Sequence, residues 1–191
     1  MAGRPRASSQ RMLEEAASEL FLEQGYAKTT IEQITRRAGV SRNTFFNYFP
    51  GKADLLWVEL DASRAVLADA LAGAPATTDP LVAVKAALVT TAAALTPGRA
   101  PLVLTQWEVM GIDEELKAAG LARALAHAGV VEAFLLGRGL DALTARGIAL
   151  AVVGAASAAV GRWAADGPER APLDTYLQKV VHPVLSGFGI G

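Results

Sequence analysis

The chain has 191 residues, of which 52 % are apolar, with a formal net charge of −1; that is one large domain or two small ones, with enough apolar residues for a real core. It contains no Cys, which excludes disulfides, thiolate zinc sites and Cys nucleophiles, and its two His, His127 and His182, are too few and too separated for a His-rich metal site. Charge is uneven: residues 1–52 hold eight Lys/Arg and five Glu (+3), residues 53–191 hold ten basic and fourteen acidic residues (−4), so a basic N-terminal quarter suited to a polyanion precedes an acidic body.

In chain order the sequence predicts helix almost throughout. Arg4, Arg6 and Arg11 precede a polar, charged stretch rather than an apolar one, so no secretory signal is read. The first helix is predicted from Ser9 to Gln24, with Leu13, Ala16, Ala17, Leu20 and Phe21 as its apolar stripe and Gly25 ending it. A short second helix carries Ile31, Ile34 and Ala38 inward; either Thr29 with Glu32 or Thr30 with Gln33 forms its capping box, and Gly39 closes it. Ser41 caps a third helix, Arg42 to Phe49, stopped by Pro50-Gly51. A fourth helix is expected from Lys52 to Leu71, then the GAPATTDP linker, then helices at 80–95, 100–110, 113–136, 141–165 and 172–187. Strand signals are missing. The expected fold is all-α with about nine helices, divided into an N-terminal helix-turn-helix domain (1–52) and a larger helical domain (53–191). The longest apolar run, GIALAVVGAASAAVG at 147–161, has 15 residues, short of the roughly 20 a membrane span needs. A buried helix of a soluble cytoplasmic protein is expected there, with no membrane partner.

Residues 30–49 have the layout of a helix-turn-helix. Within the third helix Phe45 and Phe49 stand four apart and share a face, suited to packing on Ile34, Ala38 and Leu20. Arg42, Asn43 and Asn47 project elsewhere, where they can bond base edges; Phe46 and Tyr48 flank them, a ring for a thymine methyl and a phenol for a phosphate. Thr29 and Thr30 could bond phosphates, Lys52 stands where a phosphate would meet a helix start, and Arg4 and Arg6 lie in an arm that could enter a minor groove.

The stretch ASELFLEQGYAKTTIEQITRRAGVSRNTFFNYFPGKADLL resembles the N-terminal DNA-binding region of TetR-family transcriptional regulators. Gly25-Tyr26, Thr29-Thr30, Ile31, Ile34, Ala38-Gly39-Val40-Ser41, Thr44, Phe45, Tyr48-Phe49, Lys52 and Leu55 all stand at family positions. The resemblance implies that Thr44, Tyr48 and Lys52 lie near phosphates, that Arg42, Asn43 and Asn47 face bases, and that Ser41 belongs to the DNA-facing set. Two departures are visible: many members have Tyr where Phe46 stands, so a hydroxyl contact to the backbone is lost, and Gly51 replaces a frequent Ser.

The resemblance also implies dimerisation through the last two long helices and a ligand held by the middle ones. Ala151, Ala155 and Ala158 would let backbones approach at a dimer interface, with Trp163, Tyr176, Leu177, Val180 and Val184 completing it. Trp57, Gln106, Trp107, Met110, His127 and Phe134 are the ligand-site candidates, a mostly apolar set with a few polar groups for a small apolar or amphipathic molecule. TFFNYFPGKADLLW also resembles the mycofactocin-associated regulators, which implies an acyl-CoA-like ligand. The expected function is a homodimeric transcriptional repressor, released from an inverted-repeat operator by a small molecule, with no cofactor and no metal. A ligand-independent regulator, an activator and a non-specific architectural DNA binder are the alternatives. An enzyme is disfavoured: there is no Cys, no paired His and no Gly-rich phosphate loop.

Overall fold

In the computed structural model the described residues are 6–95 and 100–189, apart from the side chains of residues 6–8 and 115. All regular structure among them is helical: α1 (Arg6–Gln24), α2 (Ile31–Ala38), α3 (Arg42–Phe46), α4 (Val58–Ala72), α5 (Pro80–Ala93), α6 (Leu102–Thr105), α7 (Trp107–Met110), α8 (Asp113–Gly137), α9 (Ala142–Ala165) and α10 (Leu173–Gly187), with a 3₁₀ turn at Lys52–Leu56. The chain divides into two units, Met1–Val58 with Leu102–Leu116, and Glu59–Pro101 with Lys117–Gly191.

In the first unit the apolar stripe of α1 is buried as its spacing predicts: Leu13, Ala16, Ala17, Leu20 and Phe21 are at most 5 % exposed. Ile34 and Ala38 of α2, Phe45 of α3 and Phe49 just beyond it complete that core, and α1 packs on both short helices. Thr30, not Thr29, is the N-cap of α2. Its side chain accepts from Gln33 N–H, and the Gln33 side chain accepts from Thr30 N–H. At the other end Gly39 adopts φ 66°, its N–H bonds Arg36 O, and Val40 N–H reaches back to Thr35 O. This left-handed cap reverses the chain within two residues and aims it into α3.

Three expected helices differ. The third ends at Phe46 rather than Phe49, because Pro50 disfavours helical backbone in the residue before it. The expected continuous helix from Lys52 is broken at Trp57. Leu55, Leu56 and Trp57 are all buried, a run that would wrap more than half of a straight α-helix and leave it little solvent face there; the chain instead makes a 3₁₀ turn and starts α4 afresh at Val58. The expected helix 100–110 is two short ones, separated at Gln106, whose φ of −129° is not helical. Tyr26 N–H then bonds Met110 O at 2.9 Å, tying the α1–α2 turn to the end of α7.

In the second unit α10 packs on α9 and α5. Leu173, Leu177, Val181 and Leu185, four apart, form its buried stripe. Asp141 caps α9 by accepting from Thr144 N–H; the Thr144 hydroxyl, and then this N–H, hold its carboxyl below the usual range. Trp163 is fully buried and its indole N–H bonds Ala171 O at 3.0 Å. Arg138, at the end of α8, donates to the four carbonyls of Ala74, Pro75, Ala76 and Thr78 at 2.9–3.2 Å, and its guanidinium lies 4.9 Å from the Phe134 ring centre. The linker between α4 and α5 is thereby fastened to α8. Segments of α8 (Leu116–Gly137) and α9 are long and apolar enough, by length and composition, to cross a membrane. In α9, however, Ile148, Val152, Val153 and Trp163 are buried, as in a core helix, while Leu143 and Leu150 are exposed.

Candidate nucleic-acid interface

The candidate interface is the face of α3 and its flanks that the first unit does not bury. Ser41 starts α3 by accepting from Thr44 N–H at 3.0 Å, and the two hydroxyls lie 2.8 Å apart. Phe45 and Phe49 turn inward with ring centres 5.7 Å apart. Arg42, Asn43, Phe46 and Asn47 are exposed together on the other side, as the spacing predicts. Asn47 is also the C-cap, its N–H bonding Asn43 O. Thr44 and Tyr48, the phosphate candidates, are half-buried beside them. Thr30 is exposed at the start of α2, although its hydroxyl is engaged in the capping box.

Two candidates sit differently. Thr29 is 1 % exposed, and its hydroxyl lies 2.9 Å from Gly25 O and 3.3 Å from Leu20 O, acceptors that leave it inside the turn rather than facing a phosphate. Lys52 Nζ donates to Tyr26 O at 2.7 Å and Thr29 O at 2.8 Å, with the Tyr26 ring centre 4.0 Å away. Its ammonium braces the α1–α2 turn from across the domain. Sequence reasoning missed this role; the signal was Tyr26 beside a turn whose carbonyls have no helical partner. Arg4 lies outside the described residues, and Arg6 opens α1 with a side chain that is not described.

The electrostatics are more restrained than the +3 of residues 1–52 suggests. Arg11 pairs with Glu15 at 2.7 Å, Arg36 with Glu32 at 3.3 Å, and Arg37 with Glu23 at 2.6 Å and Glu19 at 3.4 Å. The Arg37 partner holds the Glu23 carboxyl below its usual range. Arg42 and Lys28 have no hydrogen bond or ion pair from their side chains among the described residues. Arg42 instead lies over the Phe46 ring, 5.6 Å from its centre.

The remaining candidates are distributed between the units. Trp57 and Met110 are buried in the first, where Gln106 and Trp107 are half-buried. His127 and Phe134 are half-buried on α8 in the second. His127 Nδ1 lies 2.8 Å from Arg123 O and Nε2 3.0 Å from Ser63 Oγ on α4; one turn away Arg123 binds Asp61 with both carboxylate oxygens at 2.9 and 3.0 Å. Of the dimer candidates, Trp163 and Leu177 are buried in the protomer, while Ala151, Ala155, Tyr176, Val180 and Val184 are half-buried and Ala158 is exposed. Tyr176 donates to Asp166, which holds its hydroxyl pKa up. The most open face of α9 is a neighbouring one: Leu143, Gly147, Leu150, Gly154, Ser157 and Gly161, alternating four and three apart.

The comparisons agree with this anatomy. Residues 13–57 match the family described as "Bacterial regulatory proteins, tetR family". Residues 78–189, more than half of the chain, match the "MftR C-terminal domain". The HTH-type transcriptional regulator TcmR of Streptomyces glaucescens is 39 % identical over 71 residues, 37 % of this chain and 31 % of that protein. The aligned stretches span 20–33 % of the curated relatives that the chain matches. The structure of the fatty acid degradation regulator FadR from Bacillus halodurans superposes with a TM-score of 0.64 at 19 % identity, covering 100 % of both chains. That of Thermus thermophilus FadR, a repressor in complex with lauroyl-CoA, gives 0.58 at 24 % identity over 95 % of this chain and 96 % of that one. These likenesses show the fold. With a helix-turn-helix whose outer face presents Arg42, Asn43, Phe46 and Asn47, and with both domain families matched in order, the chain belongs to the TetR family of bacterial transcriptional regulators and carries an MftR-type C-terminal domain.

Proposed function

We propose that this protein is a cytoplasmic homodimeric repressor that binds an inverted-repeat operator and leaves it when the C-terminal domain takes up an amphipathic acyl thioester of the acyl-CoA class. The observation that carries the DNA-binding half is the sorting of α3: Phe45 and Phe49 anchor it, and Arg42, Asn43, Phe46 and Asn47 are left exposed together. Their donors, acceptors and ring are of the kinds that read base edges in a major groove. Two copies of α3 in successive major grooves stand about 34–36 Å apart, one helical turn.

Dimerisation through α9 is supported by the stripe Leu143, Gly147, Leu150, Gly154, Ser157 and Gly161. Leu143 is 83 % exposed and Leu150 40 %. A Cβ added at Gly147, Gly154 or Gly161 would meet nothing within 4 Å. Each Gly in a helix interior costs about 1 kcal/mol relative to Ala, and nothing inside the protomer requires one at these positions. Close approach of a second α9 supplies the reason, and alternate three- and four-residue spacing is the seam two helices use to interlock.

The ligand class rests on the MftR-type domain and on the bound lauroyl-CoA of the Thermus relative. Release from DNA requires that the ligand bind more tightly to a dimer whose recognition helices no longer fit the operator spacing. The test is capture of fragments of the protein's own genomic DNA, followed by sequencing, with lauroyl-CoA or free CoA then added to the complexes. One enriched inverted repeat, released by the acyl thioester and not by CoA, is expected. Recovery without a shared motif would count against a specific repressor. An inverted repeat indifferent to acyl-CoA would leave the operator reading standing and remove the ligand class.

A further inference from the structure

Among the basic side chains described in the helix-turn-helix, Arg42 has a distinctive setting. Arg36 and Arg37 are countered by carboxylates, and Lys52 is engaged by main-chain carbonyls. Arg42 is exposed, has no hydrogen-bonding or ionic partner among the described residues, and lies 5.6 Å from the centre of the Phe46 ring one helical turn away. Phe46 is 46 % exposed. It is not loose: its ring stands edge-on to the buried Phe45, centres 5.3 Å apart at 82°. A fixed ring thus holds one face of a guanidinium whose N–H fork has nothing else to bind.

We infer that Arg42 and Phe46 form one composite reader, specific for a guanine flanked by a thymine. The inference rests on the operator reading above and deepens it. Guanine offers O6 and N7 to a guanidinium fork, and thymine presents its C5 methyl to an apolar side chain in the same groove. The part of the Phe46 ring not covered by Arg42 or Phe45 is free to meet that methyl. Phe46 lacks the hydroxyl with which a Tyr could bond a phosphate, so its contribution is to base choice. It acts as a positioning residue for Arg42 and as a methyl contact in its own right.

The test uses the full-length protein and the half-site recovered by genomic capture, with single-atom changes in the DNA. Replacing the flanking thymine by uracil removes only the methyl; replacing guanine by 7-deazaguanine removes only N7. For the wild type, uracil should weaken binding about fourfold, the worth of one buried methyl. Phe46→Ala should abolish that uracil effect and reduce discrimination against 7-deazaguanine by about two- to fivefold, the worth of an exposed cation–π contact. Phe46→Leu should keep the uracil effect and lose the guanine effect; Phe46→Tyr should keep both. On an Arg42→Ala background, Phe46→Ala should change guanine discrimination no further. Unaltered melting of the DNA-free variants establishes that they fold. Wild-type protein that recovers a shared motif, with guanine discrimination unchanged in Phe46→Ala, overturns the pair and leaves the regulator. Recovery of DNA without any motif overturns both.

Discussion

At Lys52 a charge expected to face DNA faces the protein. Its ammonium donates to Tyr26 O and Thr29 O and stands over the Tyr26 ring, so the α1–α2 turn is organised before any nucleic acid arrives. Lys52→Met should therefore destabilise the DNA-free protein by about 2–3 kcal/mol, the worth of hydrogen bonds made by a charged donor. Urea unfolding of the free protein measures it; an unchanged midpoint would return Lys52 to a purely phosphate-binding role. Thr29 tells the same story, since its side chain serves the turn and Thr30 serves the cap. The sequence singles out both threonines and Lys52 but cannot orient them. Adjacent residues in a turn point in unrelated directions, and no periodicity orients them as it orients Phe45 and Phe49.

Among the elements, the long helices were legible: α1, α9 and α10 run within a few residues of their predicted spans. The exceptions are places where local and tertiary demands conflict. Pro50 shortens α3, and a 3₁₀ turn with Leu55, Leu56 and Trp57 all buried stands where an α-helix was expected. The linker GAPATTDP was recognisable by composition, but what orders it was not. Arg138, 60–64 residues further on, collects four of its carbonyls. Lysine retains the charge but has no planar fork to span four acceptors. Arg138→Lys should lose about 1–3 kcal/mol, and amide exchange within residues 74–79 should accelerate ahead of the rest of the second unit. Exchange rates equal to the parent's in that segment would mean that the linker holds itself.

For the whole molecule, the presence of apolar C-terminal helices was legible, but the free face of α9 was not. Ala, Gly and Val occur all round the helix, so composition cannot distinguish the side packed on α10 from the side left open. Gly154→Ala separates the two roles. A Cβ there meets no atom within 4 Å, and the change should raise helix propensity by up to about 1 kcal/mol, yet it should weaken the dimer proposed above. Sedimentation at graded concentration, with melting of the monomeric fraction, reads both effects; a tighter or unchanged dimer would move the interface elsewhere. The pairing of Arg11, Arg36 and Arg37 with the protein's own glutamates has a consequence for how operator affinity responds to ionic strength. Counterions leave DNA only as fresh cations reach its phosphates, and each such contact steepens the logarithmic salt dependence by about 0.9. Arginines already facing carboxylates add little to that count, so affinity should fall gently as salt rises, despite the local excess of positive charge. Glu23→Gln removes the nearest partner of Arg37 and should steepen the slope, so the glutamates on α1 set how far this regulator holds its DNA when the ionic strength of its surroundings climbs.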